Sequence, residues 1–135
     1  NIADFGTGGG FPGIIIAIYN DNASFHVKLY EKSPVKRDFL INVKNKLNIK
    51  NLSIENNVYE KQIIADVIVA RAFKKLNEII KISREIVKKP HKIVVLKGKS
   101  AQLEINNVSL DSNYSYNLEN SITDYDSKII IVEAK

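Results

Sequence analysis

The sequence predicts an α/β fold with a mainly parallel seven-stranded sheet, an antiparallel last strand and helices on both faces. Strand-like segments alternate with helical ones along most of the chain, which is the pattern of right-handed βαβ units. The last two strand-like segments, residues 114–118 and 128–132, are joined without a clear helix, so we expect the last to run antiparallel. At 135 residues the chain has the length of one domain, and we expect residues 1–135 to form it.

The first five predicted strands differ in their patterns. Residues 2–5 are short and apolar, and residues 25–31 alternate apolar and polar side chains, as a half-buried strand does. Residues 66–70 are almost continuously apolar, which favours a strand buried on both faces. The other two are residues 51–55 and 92–96.

Four helices are predicted between these strands. Residues 14–19 are apolar enough for a buried helix. A Ser-Pro pair opens the segment 33–48 as N-cap and first helical residue. Apolar residues at helical spacing predict a helix over 75–88, which Pro90 ends, and a short helix over 101–105.

The composition excludes several classes of protein. With 44% hydrophobic and 26% charged residues the chain is of the globular type, and it has neither an apolar run long enough to span a bilayer nor a signal-peptide pattern. The absence of cysteine removes disulfides, thiolate metal sites and cysteine nucleophiles. The net charge of +5 favours a polyanionic partner such as nucleic acid. We expect a cytoplasmic monomer with no metal and no membrane partner. Because the chain starts at Asn1 directly on a strand, we also expect a truncated N-terminus.

The first 13 residues contain five glycines and read NIADFGTGGGFPG. Glycine-rich loops after a first strand are ligand-binding positions in α/β folds. The dinucleotide pattern G-x-G-x-x-G, started at Gly6 and Gly8, meets Phe11 instead of its third glycine. Started at Gly8 it reaches Gly13, but that register places Pro12 inside the loop. The P-loop pattern requires a Gly-Lys pair, and no lysine follows these glycines. The P-loop is therefore excluded and the dinucleotide is disfavoured.

The pattern acid-x-G-x-G-x-G fits without strain, as Asp4, Gly6, Gly8 and Gly10. It is typical of methyltransferases that use S-adenosylmethionine (AdoMet). AdoMet has no phosphates, so the loop has to let its backbone lie against the methionine and ribose parts. Asp4 can order the loop or meet the amino group. Glu31, at the end of the second strand, can accept hydrogen bonds from both ribose hydroxyls.

Four segments resemble the bacterial 16S rRNA guanine-N7 methyltransferases, also called glucose-inhibited division protein B. They are DFGTGGGFPGI at 4–14, VKRDFL at 35–40, ARAFKKL at 70–76 and VLKGK at 95–99. The resemblance covers nearly the whole chain and is weakest after residue 104. It implies a Rossmann-like class I AdoMet-dependent methyltransferase fold and methyl transfer to N7 of a guanine in 16S rRNA of the small ribosomal subunit. Family members carry an N-terminal helical region, so we expect a catalytic domain that lacks it.

The resemblance also implies roles for single residues. Gly6 and Phe11 contact the cofactor, and Arg71 lies by the cofactor and the substrate entrance. Glu31 stands where the family usually has aspartate at the ribose.

The adenine end carries one departure from the family. Tyr59 and Glu60 match the segment that frames the adenine, but Val58 stands where the family usually has arginine. The contact that the arginine of the family makes near the adenine is therefore either lost in this chain or made by another residue. This keeps open the alternative of a truncated, non-catalytic core that binds the cofactor.

The chemistry of guanine N7 asks little of the protein. Its in-plane lone pair attacks without deprotonation, so no general base is required and alignment can supply the rate. Cytosine-C5 enzymes use a cysteine nucleophile, which this chain lacks, and enzymes for exocyclic amines commonly place [DN]-P-P-[YFW] after strand four, where this chain has ARAF at 70–73. Another RNA or a small-molecule acceptor remains open.

Basic residues follow the strand ends at the edge of the sheet where RNA phosphate would arrive. Arg71 is the strongest of them because it follows an apolar strand directly. Phe11 and Phe73 could stack on the guanine. The basic residues predicted at this edge are Lys36, Arg37, Arg71, Lys74, Lys75, Lys97 and Lys99.

Overall fold

The computed structural model describes residues 1–59 and 62–135. No helix in these ranges has the length and apolarity to cross a membrane. The strands are β1 (Ile2–Phe5), β2 (Val27–Tyr30), β3 (Leu52–Glu55), β4 (Val67–Arg71), β5 (His91–Lys97), β6 (Tyr114–Asn120) and β7 (Lys128–Ala134). The helices are α1 (Gly13–Tyr19), α2 (Pro34–Lys46), α3 (Leu76–Ile86) and α4 (Ala101–Asn106).

The seven strands form one sheet in the order β3-β2-β1-β4-β5-β7-β6. The first five pair in parallel, and β7 runs antiparallel to both of its neighbours. This confirms the predicted sheet. The chain moves from β1 outward to β3 and then returns to the other side of β1 as β4, so the order reverses between β1 and β4. Ligands of open α/β sheets bind at the carboxyl ends of the strands at such a reversal, and here the glycine loop and Arg71 meet.

The core lies on both faces of the sheet because β1 and β2 alternate their side chains. On one face α1 and α2 pack against Val27 and Leu29. On the other face α3 and α4 pack with Ala3 and Phe5. Helices therefore cover both faces, as predicted.

Two helices end earlier than predicted. α2 ends at Lys46, since Asn48 adopts a left-handed conformation with φ 51°, a common way to terminate a helix. α3 ends at Ile86 because Val87 already has an extended backbone. The helix thus stops before Lys89, the residue whose backbone Pro90 restricts. β6 and β7 each continue two residues past their predicted ends.

Candidate active site

The glycines of the β1–α1 loop divide into two kinds. Gly6 has φ +66°, and a Cβ there would lie 2.3 Å from Cδ2 of Phe73. Gly10 has φ +97°, and its Cβ would lie 2.3 Å from a side-chain carbon of α1. Only glycine fits either position. By contrast, a Cβ at Gly8 would approach nothing nearer than a backbone oxygen at 4.0 Å, although its φ of +59° also favours glycine, and one at Gly9 would meet nothing within 4 Å. The loop therefore packs through the first pair and presents open backbone at the second.

Asp4 holds the two ends of this loop together. Its carboxylate is fully buried, and its Oδ2 accepts hydrogen bonds from the Thr7 hydroxyl at 2.6 Å and from the Gly13 N–H at 2.9 Å. Burial raises the pKa of Asp4, and these hydrogen bonds oppose that rise. Of the two roles that the sequence left open, the geometry favours ordering the loop. Thr7 was not singled out from the sequence, because a threonine between glycines carries no signal of its own.

Glu31 ties the glycine loop to the start of α2. It is 6% exposed, its Oε2 accepts the Gly8 N–H at 2.9 Å, and its Oε1 accepts the Ser33 N–H at 2.9 Å. A carboxylate has about four acceptor positions, so two backbone bonds leave capacity for hydroxyl groups of a ligand. Glu31 is thus both a support for the loop and an acceptor at the strand end.

A cavity of about 380 Å³ opens between the glycine loop, the end of β2 and the β4–α3 loop. This volume lies in the range of small-molecule sites. Among the predicted cofactor residues, the cavity brings together Gly6, Glu31 and the 57% exposed Tyr59. Val58 also lines the cavity, but it is 3% exposed and packs into the core. Glu60 lies outside the described residues.

A larger cavity, of about 610 Å³, is elsewhere. It lies at the amino edge of the sheet, between the turn at residues 20–26 and the end of α2. We place the functional site at the smaller cavity, because strand order puts ligands at the carboxyl ends. In the ranges 1–59 and 62–135, no group of three His, Cys, Asp or Glu side chains is arranged to hold a metal ion.

Arg71 and Phe11 contact each other outside the lining of the smaller cavity, next to Ala72, which does line it. The guanidinium carbon of Arg71 lies 5.8 Å from the centroid of the Phe11 ring, which is 47% exposed, a distance typical of a cation–π contact. Phe73 instead turns inward and packs edge-to-face on Phe5 at 6.1 Å. An exposed cation therefore lies on an exposed ring at the end of β4.

Arg37 points into the molecule. Its Nη1 donates to the carbonyl oxygens of Glu31 at 2.9 Å and Lys32 at 2.8 Å, and to the side-chain oxygen of Asn56 at 2.9 Å. These bonds hold the β2–α2 turn in place. The guanidinium is thus engaged in supporting the site and is not part of the freely exposed basic surface.

Lys97 is also engaged inside the molecule. Its side chain is 13% exposed, and its Nζ lies 3.0 Å from Oε2 of Glu104 and donates to the Lys74 carbonyl at 2.9 Å. The same Glu104 oxygen accepts the N–H of Leu76, the first residue of α3, at 2.8 Å. Burial raises the pKa of Glu104, but these hydrogen bonds outweigh it and hold the pKa below its ordinary value. This network fixes the loop at 72–75. The sequence did not indicate Glu104, because its contact with α3 spans 28 residues.

The remaining basic residues of this edge are exposed to different degrees. Lys74 pairs with a glutamate of α3 at 3.0 Å, and Lys99 pairs with Asp126 at 3.1 Å on an open surface. Lys36 and Lys75 are exposed and form no ion pair with any residue of the described ranges. With the arginine at the end of β4, they form the open part of the predicted basic surface.

The chain matches a protein-family model along almost its whole length. The model is that of the GidB family, described as rRNA small subunit methyltransferase G, and it matches residues 1–129.

Two curated relatives show the same similarity. The chain is 39% identical over 102 residues to ribosomal RNA small subunit methyltransferase G 1 of Bdellovibrio bacteriovorus, a match that covers 76% of this chain and 48% of that protein. It is 31% identical over 135 residues to ribosomal RNA small subunit methyltransferase G of Pelagibacter ubique, covering 98% of this chain and 63% of that protein. The chain thus spans about half to just under two thirds of the length of these relatives.

The fold is similar to that of a solved methyltransferase. A SAM-dependent methyltransferase from Aquifex aeolicus superposes with a TM-score of 0.74 at 13% identity, covering 98% of this chain and 80% of that one. At this identity the likeness concerns the fold, and it confirms the predicted Rossmann-like AdoMet-dependent methyltransferase fold.

Proposed function

The chain belongs to the rRNA small subunit methyltransferase G (GidB) family, and from that premise we propose that its protein transfers a methyl group from AdoMet to N7 of a guanine in 16S rRNA of the small ribosomal subunit. The observation that carries the proposal is the family match across residues 1–129. The site supports it with an open glycine surface, a carboxylate at the end of β2 and a cavity at the point where strand order reverses.

The residues present fit AdoMet better than a phosphate-bearing ligand. Ligands with phosphates bind where a helix N-terminus offers free N–H groups, but the first N–H of α1, at Gly13, is taken by the buried Asp4. The uncovered backbone at Gly8 and Gly9 can instead lie flat against a moiety without phosphate, such as the ribose or methionine part of AdoMet. A P-loop or dinucleotide role is therefore disfavoured by geometry as well as by sequence pattern.

The predicted cofactor residues then take distinct roles. We assign the backbone of Gly6, Gly8 and Gly10 to the methionine and ribose side of the cavity, and Glu31 to the ribose hydroxyls. We assign Tyr59, with Glu60, to the adenine side. Asp4 acts through the loop that it orders.

Phe11 and Arg71 lie beside the cavity, outside its lining. When bound, AdoMet supplies an electrophilic methyl group on a cationic sulfonium. Guanine N7 needs no proton removed before attack, so the work of the protein is to align the two reactants and exclude water. We propose that Arg71, which is exposed at the end of β4, holds the RNA beside the cofactor.

RNA phosphates are proposed to lie along the exposed basic residues of the same edge. Lys36, Arg71 and Lys75 are the first candidates, because each is exposed. Lys74 and Lys99 join them when phosphate competes with their surface carboxylates. Each phosphate contact adds close to one to the slope of binding against salt concentration.

Three broader proposals accompany this function. Residues 1–135 form a single catalytic domain, the protein acts as a monomer, and it works in the cytoplasm, where ribosomal subunits are assembled. Sedimentation of the full-length protein tests the monomer directly.

The decisive experiment uses the full-length protein, labelled AdoMet, and both unmodified 16S rRNA and small subunits, followed by mapping of the label. Label on guanine N7 is expected, and label on any other atom overturns the proposal. Arg71→Ala is expected to reduce transfer about tenfold or more. The matched control is Arg84→Ala, which removes an exposed arginine of α3 that pairs with Asp111. Calorimetry with AdoMet separates an inactive cofactor-binding core, which binds without transfer, from an empty domain.

A further inference from the structure

A second cavity lies directly beside the first. It has a volume of about 510 Å³ and opens between the ends of β4 and β5 and the β6–β7 turn at residues 121–127. Ala72 lines both cavities, and Arg71 lines the second. A group bound in this second cavity would face the cofactor cavity across the end of β4.

The walls of the second cavity combine hydroxyl groups with apolar surface. Ser121, Thr123 and Ser127 line one side, and Leu96 and Ile129 line another. The hydroxyls of Ser121 and Thr123 are 3.3 Å apart, and that of Ser127 donates to a carboxylate within the turn at 2.5 Å. Hydroxyl oxygens keep acceptor capacity after donating. Such a site suits a flat ligand with apolar faces and hydrogen-bond donors on its edge.

The ammonium groups near this cavity are already engaged. Lys97 is paired with Glu104. Lys128 donates to the Asn120 side chain at 2.8 Å and to the Tyr125 carbonyl at 3.2 Å. A phosphate would have to displace these bonds, whereas a base would not. The side of the cavity lined by these lysines is therefore suited to a base, and a phosphate contact is left to the exposed Arg71 at the end of β4.

Two large, mainly apolar side chains at the tip of the β6–β7 turn are almost fully exposed to solvent. Ile122 is 103% exposed and Tyr125 is 90% exposed, although the turn is otherwise polar. Lys128 lies 5.4 Å from the Tyr125 ring centroid and orients it from one side. Exposed aromatic rings are the usual stacking platforms for unpaired RNA bases.

We infer that the second cavity holds the acceptor guanine after it has been flipped out of the RNA, and that the β6–β7 turn stacks on the neighbouring nucleotides. The inference rests on the proposed function. Guanine N1–H and its 2-amino group would donate to the hydroxyl oxygens of Ser121 and Thr123, which leaves N7 directed past Ala72 toward the cofactor. Adenine lacks those two donors, so the same walls favour guanine. Enzymes that modify a base generally extrude it into such a pocket.

The test compares variants of the full-length protein in methylation of unmodified 16S rRNA. Tyr125→Ala is expected to raise the KM for RNA about tenfold. Thr123→Val, which removes a hydroxyl and keeps the shape, is expected to raise it about fivefold. Tyr116→Ala on β6, a tyrosine that is 52% exposed, is the matched control and should leave KM unchanged. The Kd for AdoMet should not change in any of the three.

The salt dependence of RNA binding gives a second readout. The two turn variants should weaken binding without changing the slope of log affinity against log salt, while Lys36→Ala should lower that slope by about one. An unchanged KM in both turn variants, with the parent protein active, overturns the inference. A reduced salt slope in either variant also overturns it, because the turn would then bind phosphate. A parent protein that methylates no guanine N7 overturns the proposed function itself, and the inference with it.

Discussion

The two halves of the carboxyl edge use their polar groups in opposite ways. In the β1–β2 half, Asp4 accepts hydrogen bonds from the Thr7 hydroxyl and the Gly13 N–H, Glu31 accepts them from the Gly8 and Ser33 N–H groups, and an open glycine surface is left. In the β4–β5 half, Lys97 and Glu104 bind each other and the ends of the loop at 72–75. The first half is built to receive a ligand, and the second to hold a loop still beside it. A charged side chain at a strand end can therefore already be paired within the protein, and its presence in the sequence does not show that it is free to bind a ligand.

The largest expected effect tests the packing glycine of the first half. Gly6→Ala forces alanine into a left-handed conformation and drives its Cβ to 2.3 Å from Phe73. We expect a loss of about 3 kcal/mol or more of unfolding free energy and no measurable AdoMet binding. Chemical denaturation and calorimetry measure the two.

Gly9→Ala is the control for that experiment, since a Cβ there meets nothing within 4 Å. It should change stability by less than about 0.5 kcal/mol. Equal effects of the two changes would contradict the division of the loop into packed and open glycines.

The second prediction concerns the network of the other half. Glu104→Gln or Lys97→Met should each cost about 2 kcal/mol, since each leaves a mostly buried partner without its counter-charge. The double variant should cost clearly less than the sum of the singles. Strict additivity in a denaturation cycle would show that the two side chains do not form a coupled pair, and Lys97 would return to the list of RNA contacts.

A third, smaller effect belongs to Glu31. Glu31→Gln replaces one of its two acceptor oxygens with an amide group that cannot accept the Gly8 or Ser33 N–H. We expect about a tenfold weaker Kd for AdoMet and a loss of about 1 kcal/mol of stability. Titration calorimetry beside a thermal melt separates the two effects. A variant with lowered stability and unchanged Kd would restrict Glu31 to a structural role.

The fourth prediction follows the pKa of Glu104, which lies below its ordinary value in the folded chain. A depressed carboxyl pKa contributes stability that is fully present above the unfolded pKa and is lost as pH falls through the folded one. The stability difference between the parent chain and Glu104→Gln should therefore be constant above about pH 5 and shrink below about pH 4.5. If this stability difference stayed constant below about pH 4.5, the proposed pairing of Glu104 with Lys97 would be contradicted.

The smallest effect is expected at the surface pair of Lys99 and Asp126, whose side chains are 81% and 51% exposed. Lys99→Ala should change stability by less than about 0.5 kcal/mol, because exposed ion pairs contribute little. A loss of more than about 1 kcal/mol of unfolding free energy would mean that this surface pair is coupled to the network of Lys97 and Glu104.

That Asp4 could order the glycine loop was readable from the sequence because its contacts are local. Asp4 reaches Thr7 and Gly13 within nine residues. The acid and the glycines of the sequence pattern therefore lie in the same loop. The sequence predicted the parallel sheet for the same reason, since each βαβ unit is continuous in the chain. Lys97 and Arg37 were predicted as surface cations because composition shows a charge and not its partner. The β6–β7 turn had no periodicity to read, so nothing distinguished the tip residues Ile122 and Tyr125 from ordinary loop residues.

The reversal of β7 has a consequence for how such a fold can change its acceptor. Because β6 and β7 are adjacent and antiparallel, the turn between them leaves and rejoins the sheet at neighbouring positions on the carboxyl edge. Its length and side chains can vary without altering strand register, since both ends stay anchored by the hairpin. On the inference drawn above, replacing this turn is expected to change acceptor choice while the proposed cofactor half, on the far side of β4, is left intact.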